Sequence, residues 1–219
     1  MKALHTVCTL VGFILLGSWA ASAQSTPLSR GDVSGTVGVE SVNARDDTFF
    51  RSHRFDGGFY GSVAGGWYWT ENLKTEIDFG GRTKGRVWMS APVLINGAQT
   101  FYPTDKTFSR QTLGVGQQYQ FFHNAWFHPH LGAGANLTWE RSTLHRGATT
   151  VYDPATRTSR IVAPERTDPA KTDFRVSPFV EAGFKGYMTP RTFFRGDLRV
   201  AFHRGVDDVV TRFGFGFDF

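Results

Sequence analysis

Two histidines, His128 and His130, stand two residues apart in a stretch of alternating character, so on an extended chain they share one face. That spacing could offer two imidazoles to one metal ion. Glu140 lies too far along the strand to join them directly, and two His alone make a weak site, so hydrogen bonding in a lumen or an interface is the plainer role. Glu140, Ser142 and His145 supply an acid, a hydroxyl and an imidazole within six residues. They could be drawn as a hydrolase set acting on lipid, but no motif for a positioned nucleophile or an oxyanion donor accompanies them, and a solvated loop is the default. Arg30-Gly31-Asp32 and Arg195-Gly196-Asp197 both spell the tripeptide associated with integrin binding, and Asn136-Leu137-Thr138 matches a glycosylation acceptor. The first lies at the junction of a short lead-in and the first strand, and the other two lie on strands, so all three read as chance. The expectation is no catalytic residue, no metal and no cofactor.

What such residues can do depends on the elements that carry them. The last eleven residues, Val209 to Phe219, place Val209, Thr211, Phe213, Phe215, Phe217 and Phe219 at odd positions and Arg212, Gly214, Gly216 and Asp218 at even ones. This period of two describes a strand with one apolar and one polar face. Four Phe on one face would form an aggregation-prone edge in water, whereas lipid would cover them.

The N-terminus is consistent with export. Lys2, the mostly apolar Val7 to Gly17 and the small residues Ala21-Ser22-Ala23 before Gln24 read as a cleaved signal peptide over residues 1–23. No run of 18 apolar residues follows, so no helical span is expected. Cys8 is the single cysteine and lies within the leader, which leaves the mature chain without disulfide or thiol chemistry. Lys2 is also the one charged residue in that leader, so its removal lowers the net charge from +5 to +4. Acids and bases are interspersed with no dense basic run, which argues against nucleic acid. The 25 Gly and 15% aromatic residues suit a β protein with tight packing and aromatic belts.

After a short lead-in over residues 24–31, the alternation defines eight strands in one domain over residues 32–219. They run from Asp32 to Val42, Gly57 to Thr70, a third from Leu73, Phe108 to Phe122, Phe127 to Glu140, Thr172 to Met188, Thr192 to His203, and the closing strand. Asn96-Gly97 between β-prone flanks predicts that strands three and four continue as an external ribbon. Val151-Tyr152 and Ile161-Val162, on either side of Asp153-Pro154, suggest a second ribbon in the long loop Arg141 to Lys171. Pro178 removes a ladder donor from strand six and belongs at an edge or bulge.

The apolar faces of the eight strands carry no charged residue. The opposite faces carry Glu40, Lys74, Glu76, Asp78, Arg110, Glu140, Arg175, Glu181, Lys185, Arg195, Asp197, Arg199, Arg212 and Asp218, seven of each sign. A soluble barrel needs the reverse polarity, and a charge facing hydrocarbon costs about 2–4 kcal/mol for Arg or Lys at the midplane. The charged face must therefore point inward. An eight-stranded barrel is only wide enough to be filled by side chains, so Glu40, Lys74, Glu76, Asp78, Arg110, Arg175, Glu181, Lys185, Arg195, Asp197, Arg199 and Arg212 are expected to form an ion-pair network that plugs the lumen. Trp67, Trp69, Phe121, Phe127, Phe194, Phe217 and Phe219 all sit beside the three short turns or the C-terminus, which predicts one aromatic girdle.

With its leader, its alternating strands and its terminal Phe, the mature chain resembles the small eight-stranded bacterial outer-membrane barrels of the OmpA-like, OmpW-like and opacity-protein type. The resemblance implies an all-β, antiparallel, up-and-down transmembrane barrel with both termini periplasmic and long extracellular loops. It also implies that Phe215, Phe217 and Phe219 are read by the barrel assembly machinery, that periplasmic chaperones escort the chain, and that outer-membrane lipid surrounds it. The basic external segments, with Arg51, His53, Arg54, Arg82, Lys84, Arg86, Arg141, Arg146, Arg157, Arg160 and Arg166, suit anionic lipopolysaccharide. The expected role is non-catalytic, structural or surface-interacting, with surface ligands unspecified. The alternatives are a narrow transport or hydrophobic-ligand conduit and an outer-leaflet lipid enzyme.

Overall fold

The computed structural model describes residues 30–43, 55–95, 98–121, 126–153 and 156–219. The leader, Asn96-Gly97, Pro154, Arg51, His53 and Arg54 lie outside these residues.

Eleven strands account for nearly all of the described chain: β1 (Gly31–Asn43), β2 (Phe55–Tyr68), β3 (Leu73–Ile95), β4 (Ala98–Gln120), β5 (Phe127–Arg146), β6 (Thr149–Asp153), β7 (Thr158–Ala163), β8 (Arg166–Thr167), β9 (Lys171–Tyr187), β10 (Thr192–Phe202) and β11 (Val206–Asp218). Eight of them close a ring in the order β1-β2-β3-β4-β5-β9-β10-β11 and back to β1, every neighbour antiparallel. Closure pairs Asp32 with Asp218 and Val42 with Asp208, and Gly31 and Phe219 exchange two backbone hydrogen bonds at 3.1 and 2.9 Å. The ring has no free edge around its girth, which removes the hazard that four aromatic residues on a terminal strand would otherwise create.

The polarity is that of a barrel turned inside out relative to a soluble protein. Outward-facing Phe215 and Val63 are each 61% exposed, whereas inward-facing Arg110 and Arg212 are 1% exposed and Lys74 and Arg195 fully buried. Small inward residues make room for the long ones. A Cβ on Gly114 would lie 2.1 Å from Asp78 Oδ1, and one on Gly183 would lie 2.6 Å from Asp197 Oδ1 and 2.8 Å from His130 Nε2. Gly58, Gly66, Gly85, Gly114 and Gly183 thus leave space for carboxylates and guanidinium groups.

At one end the connections are short, at residues 69–72, 121–126 and 188–191. At the other end β3 and β4 continue as a ribbon to Ile95 and Ala98, past a bulge between Arg82 and Gly85, and β6 pairs with β7 as a second ribbon. Three features depart from the sequence reading. Strand five runs on to Arg146, six residues past Glu140, because β4 and the two-residue β8 pair with its outer part. Strand two ends at Tyr68, and Trp69 lies in the turn, its backbone N–H bonded to the Leu73 carbonyl at 2.9 Å. The closing strand begins at Val206, so Asp207 and Asp208 belong to it and not to the preceding loop; a register shift between Ala201 and Phe202 buries Asp207 beside Asp208. Pro178 sits just beyond Phe179, where the ladder between β9 and β10 ends, so its missing donor falls at an edge.

Candidate functional site

The interior holds three tiers of acidic and basic side chains. Nearest the short turns, Asp32 of β1 accepts from Lys74 Nζ at 3.0 Å, from Tyr68 Oη at 3.0 Å and from Lys185. Lys185 also donates to Tyr68 Oη at 2.6 Å and lies 4.0 Å from the centre of the Phe193 ring. The ring seats the ammonium group through a cation–π contact, with Asp218 Oδ1 a further neighbour at 3.6 Å.

The middle tier is the densest. Arg195 grips Glu76 fork to fork at 3.0 and 3.1 Å and reaches Asp197 through Nε at 2.9 Å. Arg212 joins three acids from three strands: Asp78 at 3.0 Å, Glu181 at 2.9 Å and Asp197 at 3.2 Å. Arg199 bridges Asp78 at 2.8 Å and Glu181 at 2.8 Å, while Phe179 stacks on its guanidinium at 4.1 Å. Bidentate and shared bonds of this kind satisfy lone pairs and protons that would otherwise be costly to bury.

At the end away from the short turns, Arg110 is the hub. It meets Asp208 at 2.9 Å, Glu40 at 3.0 Å, Glu140 at 3.4 Å and Asp207 at 3.6 Å. Arg175 and Lys106 share the load, at 3.0 Å from Asp207 and 3.2 Å from Glu140 respectively.

All twelve network residues expected from the sequence are in these tiers, Arg175 being the most exposed of them. Sequence reasoning left out Asp32, Tyr68, Lys106, Phe193, Asp207 and Asp208. The alternation itself carried a signal for five: Asp32 has the parity of Ser34 and Glu40, Tyr68 that of Ala64, Lys106 that of Arg110, Phe193 that of Arg195, and Asp208 that of Arg212. Asp207 alone had no such signal, since the bulge breaks the count there.

The two histidines part company. His128 packs edge-on against Tyr187 at 5.1 Å, while His130 is buried with Nε2 3.0 Å from Asp197 Oδ1 and 3.7 Å from Glu181 Oε1. His130, Glu181 and Asp197 bring ligand-type atoms within 4.8 Å of one another. Both acids are already bonded to guanidinium groups of Arg195, Arg199 and Arg212, so the group is spent on cations the chain itself provides. Glu140, Ser142 and His145 do not assemble as a hydrolase set. Glu140 belongs to the Arg110 tier, and His145, three residues beyond Ser142 and of opposite parity, bonds Thr167 at 3.0 Å and Glu165 at 3.3 Å. Asp32, Arg195, Asp197 and Asn136 are all at most 4% exposed, which removes both tripeptides and the acceptor asparagine from the surface.

The seven aromatic residues expected as a girdle lie at the short-turn end, Trp67, Trp69, Phe217 and Phe219 exposed and Phe121, Phe127 and Phe194 half-buried. Phe127, Phe184 and Phe194 run on to Phe215 as a chain of ring contacts at 5.5, 6.0 and 5.5 Å. At the far end, Trp139 on β5 packs against Phe174 on β9 at 5.5 Å.

No protein family model matches the sequence, and no curated protein matches it. Solved structures do. Neisserial surface protein A superposes with a TM-score of 0.52 at 13% identity, over 87% of this chain and 98% of that one. The fold is that of the small eight-stranded outer-membrane barrels. The barrel is also similar to the attachment invasion locus protein Ail of Yersinia pestis, with 13% identity, TM-score 0.47 and coverage of 87% and 99%. OprG from Pseudomonas aeruginosa matches at 13% identity, TM-score 0.48 and coverage of 87% and 97%.

Proposed function

We propose that the chain is an integral outer-membrane β-barrel, exported through cleavage after Ala23, with a closed lumen and no catalytic role. Its extended outer strands serve a structural or surface-interaction function. The observation that carries this reading is the inverted polarity, with the aromatic surface of Phe213, Phe215 and Phe217 outside and Arg195, Arg199 and Arg212 inside. Water cannot be the solvent of that outer surface without aggregation, and hydrocarbon cannot be the solvent of the inner one. The belt has the right height. From Phe127 to Trp139 along β5 there are about 12 residue steps of roughly 3.3 Å, which at a tilt of about 40° cover about 30 Å, close to the apolar band of such barrels.

The shared end of the short turns and both chain ends supports periplasmic termini. Phe215, Phe217 and Phe219 lie exposed on the last strand, where barrel assembly machinery can read them, and periplasmic chaperones would carry the chain there. Outer-membrane lipid and lipopolysaccharide complete the set of partners. The paired, filled tiers of the interior support a barrel that passes no steady current.

Two measurements test this. The mature chain, folded in detergent, should migrate faster than its boiled form on a gel and resist protease. In planar bilayers it should give no steady single-channel steps. Monomeric folding in plain buffer, or stepwise conductance, would refute the first and the second part respectively.

A further inference from the structure

Around β3, β4, β5 and β9 the outward face changes character within one row of the register. One row reads Gly81, Gln111, Trp139 and Phe174; the next, further from the short turns, reads Thr83-Lys84 at the bulge, Ser109, Arg141 and Thr172. Lys84 and Arg141 are both exposed, and neither has an acidic partner among the described residues. Other basic side chains on these outer strands are committed: Arg86 to Asp105, Arg146 and Arg166 to Asp168, and Arg175 to Asp207. Two uncommitted cations therefore stand two ladder spacings apart, about 10 Å. The Ser109 hydroxyl lies between them and the Thr172 hydroxyl beside Arg141, and Arg141 and Thr172 stand directly above the Trp139–Phe174 pair.

We infer that Lys84 and Arg141, with the Ser109 and Thr172 hydroxyls, form a docking surface for the phosphorylated headgroup of an outer-leaflet lipid whose acyl chains lie against Trp139 and Phe174. The inference rests on the membrane reading above and adds a location and a chemistry to it. Charge complementarity selects the headgroup, because the surface offers two unpaired cations and two hydroxyls, while the exposed carboxylate beside Thr172, that of Asp173, is taken by Lys171 at 2.8 Å. The Trp139–Phe174 pair beneath Arg141 and Thr172 selects a lipid over a soluble anion, since it gives the acyl chains an apolar wall on the same face. The spacing of the cations suits a headgroup carrying two phosphates, each met by one side chain.

The test uses the mature barrel in detergent micelles, titrated with bisphosphorylated lipid A, its dephosphorylated form and inorganic phosphate. Lys84→Gln/Arg141→Gln should weaken binding of the bisphosphorylated lipid by about tenfold or more and leave the dephosphorylated lipid unaffected. Arg157→Gln/Arg160→Gln removes the same charge from the second ribbon and should change nothing. Gel mobility before and after boiling confirms that each variant is folded. Equal affinity in wild type and the Lys84/Arg141 variant, equal losses in the two double variants, or displacement of the lipid by inorganic phosphate would each overturn the site while leaving the membrane barrel standing. A wild-type chain that does not fold in detergent would overturn both.

Discussion

Arg195 and Glu76 meet through two parallel hydrogen bonds of 3.0 and 3.1 Å across the barrel interior, 119 residues apart in the chain, and both are buried. Neither has water to fall back on. Removing Arg195 takes the bidentate partner from Glu76, which keeps Lys74 at 2.6 Å, and also takes a donor from Asp197, so Arg195→Met should destabilise the folded barrel by about 3 kcal/mol. Urea unfolding in lipid vesicles would measure it. Arg195→Met/Glu76→Gln should lose less than the sum of the single changes, and strict additivity would contradict the pairing.

Arg212 ties acids from β3, β9 and β10 to β11, at 2.9 to 3.2 Å. Arg212→Gly removes the hub and its volume together. We expect the variant to show intermittent conductance in planar bilayers where the wild type shows none, and an equally silent variant would mean that the remaining tiers close the lumen without it.

Inward and outward glycines should respond oppositely to the same methyl group. Gly114→Ala would press on the Asp78 carboxylate and on Arg199 at 2.8 Å, and should cost about 1–3 kcal/mol. Gly35 faces outward on β1 with nothing within 4 Å of the place a Cβ would take, and should tolerate Ala within about 0.5 kcal/mol. Equal effects on vesicle unfolding would remove the claim that inward glycines exist to house charges.

Asp168 closes the outer end of β5: its backbone N–H donates to the Leu144 carbonyl at 2.8 Å, and its carboxylate accepts from Arg166 at 2.6 and 2.8 Å and pairs with Arg146 at 3.2 Å. The hydrogen bonds from Arg166 are the main reason that its carboxyl is held below the usual carboxylate value. A depressed carboxyl stabilises the clip above its ordinary titration range, and the contribution is lost as pH falls through the lowered value. Carbon NMR should place the Asp168 midpoint below that of an ordinary Asp, and Arg166→Gln should bring it back up.

Phe219 is 65% exposed, and its backbone is tied to Gly31. Phe219→Ala keeps that backbone pairing and removes the ring. Folding yield from urea into detergent should therefore stay near that of the wild type, while the amount reaching the outer membrane in cells should drop severalfold. A parallel loss in both assays would assign the ring to stability and not to recognition.

The alternation of side chains determined a great deal by itself. Because a strand has a period of two, Phe213, Phe215 and Phe217 had to face one way and Arg212 and Asp218 the other, and only one placement of those faces is compatible with lipid outside. The number of strands, the external ribbons and the position of the aromatic residues beside the short turns follow from the same count. Partnership did not. That Arg195 meets Glu76, or that Lys185 shares Asp32 with Lys74, depends on the register of strands far apart in sequence and on how the ring closes, which local pattern does not encode. The bulge after Ala201 turned Asp207 inward beside Asp208, and no period can anticipate a place where the period is interrupted. The glycines show the same division of labour: the sequence supplied them in number, while the closed wall decided which ones, such as Gly114 and Gly183, give up a side chain so that a charge from another strand can occupy the space.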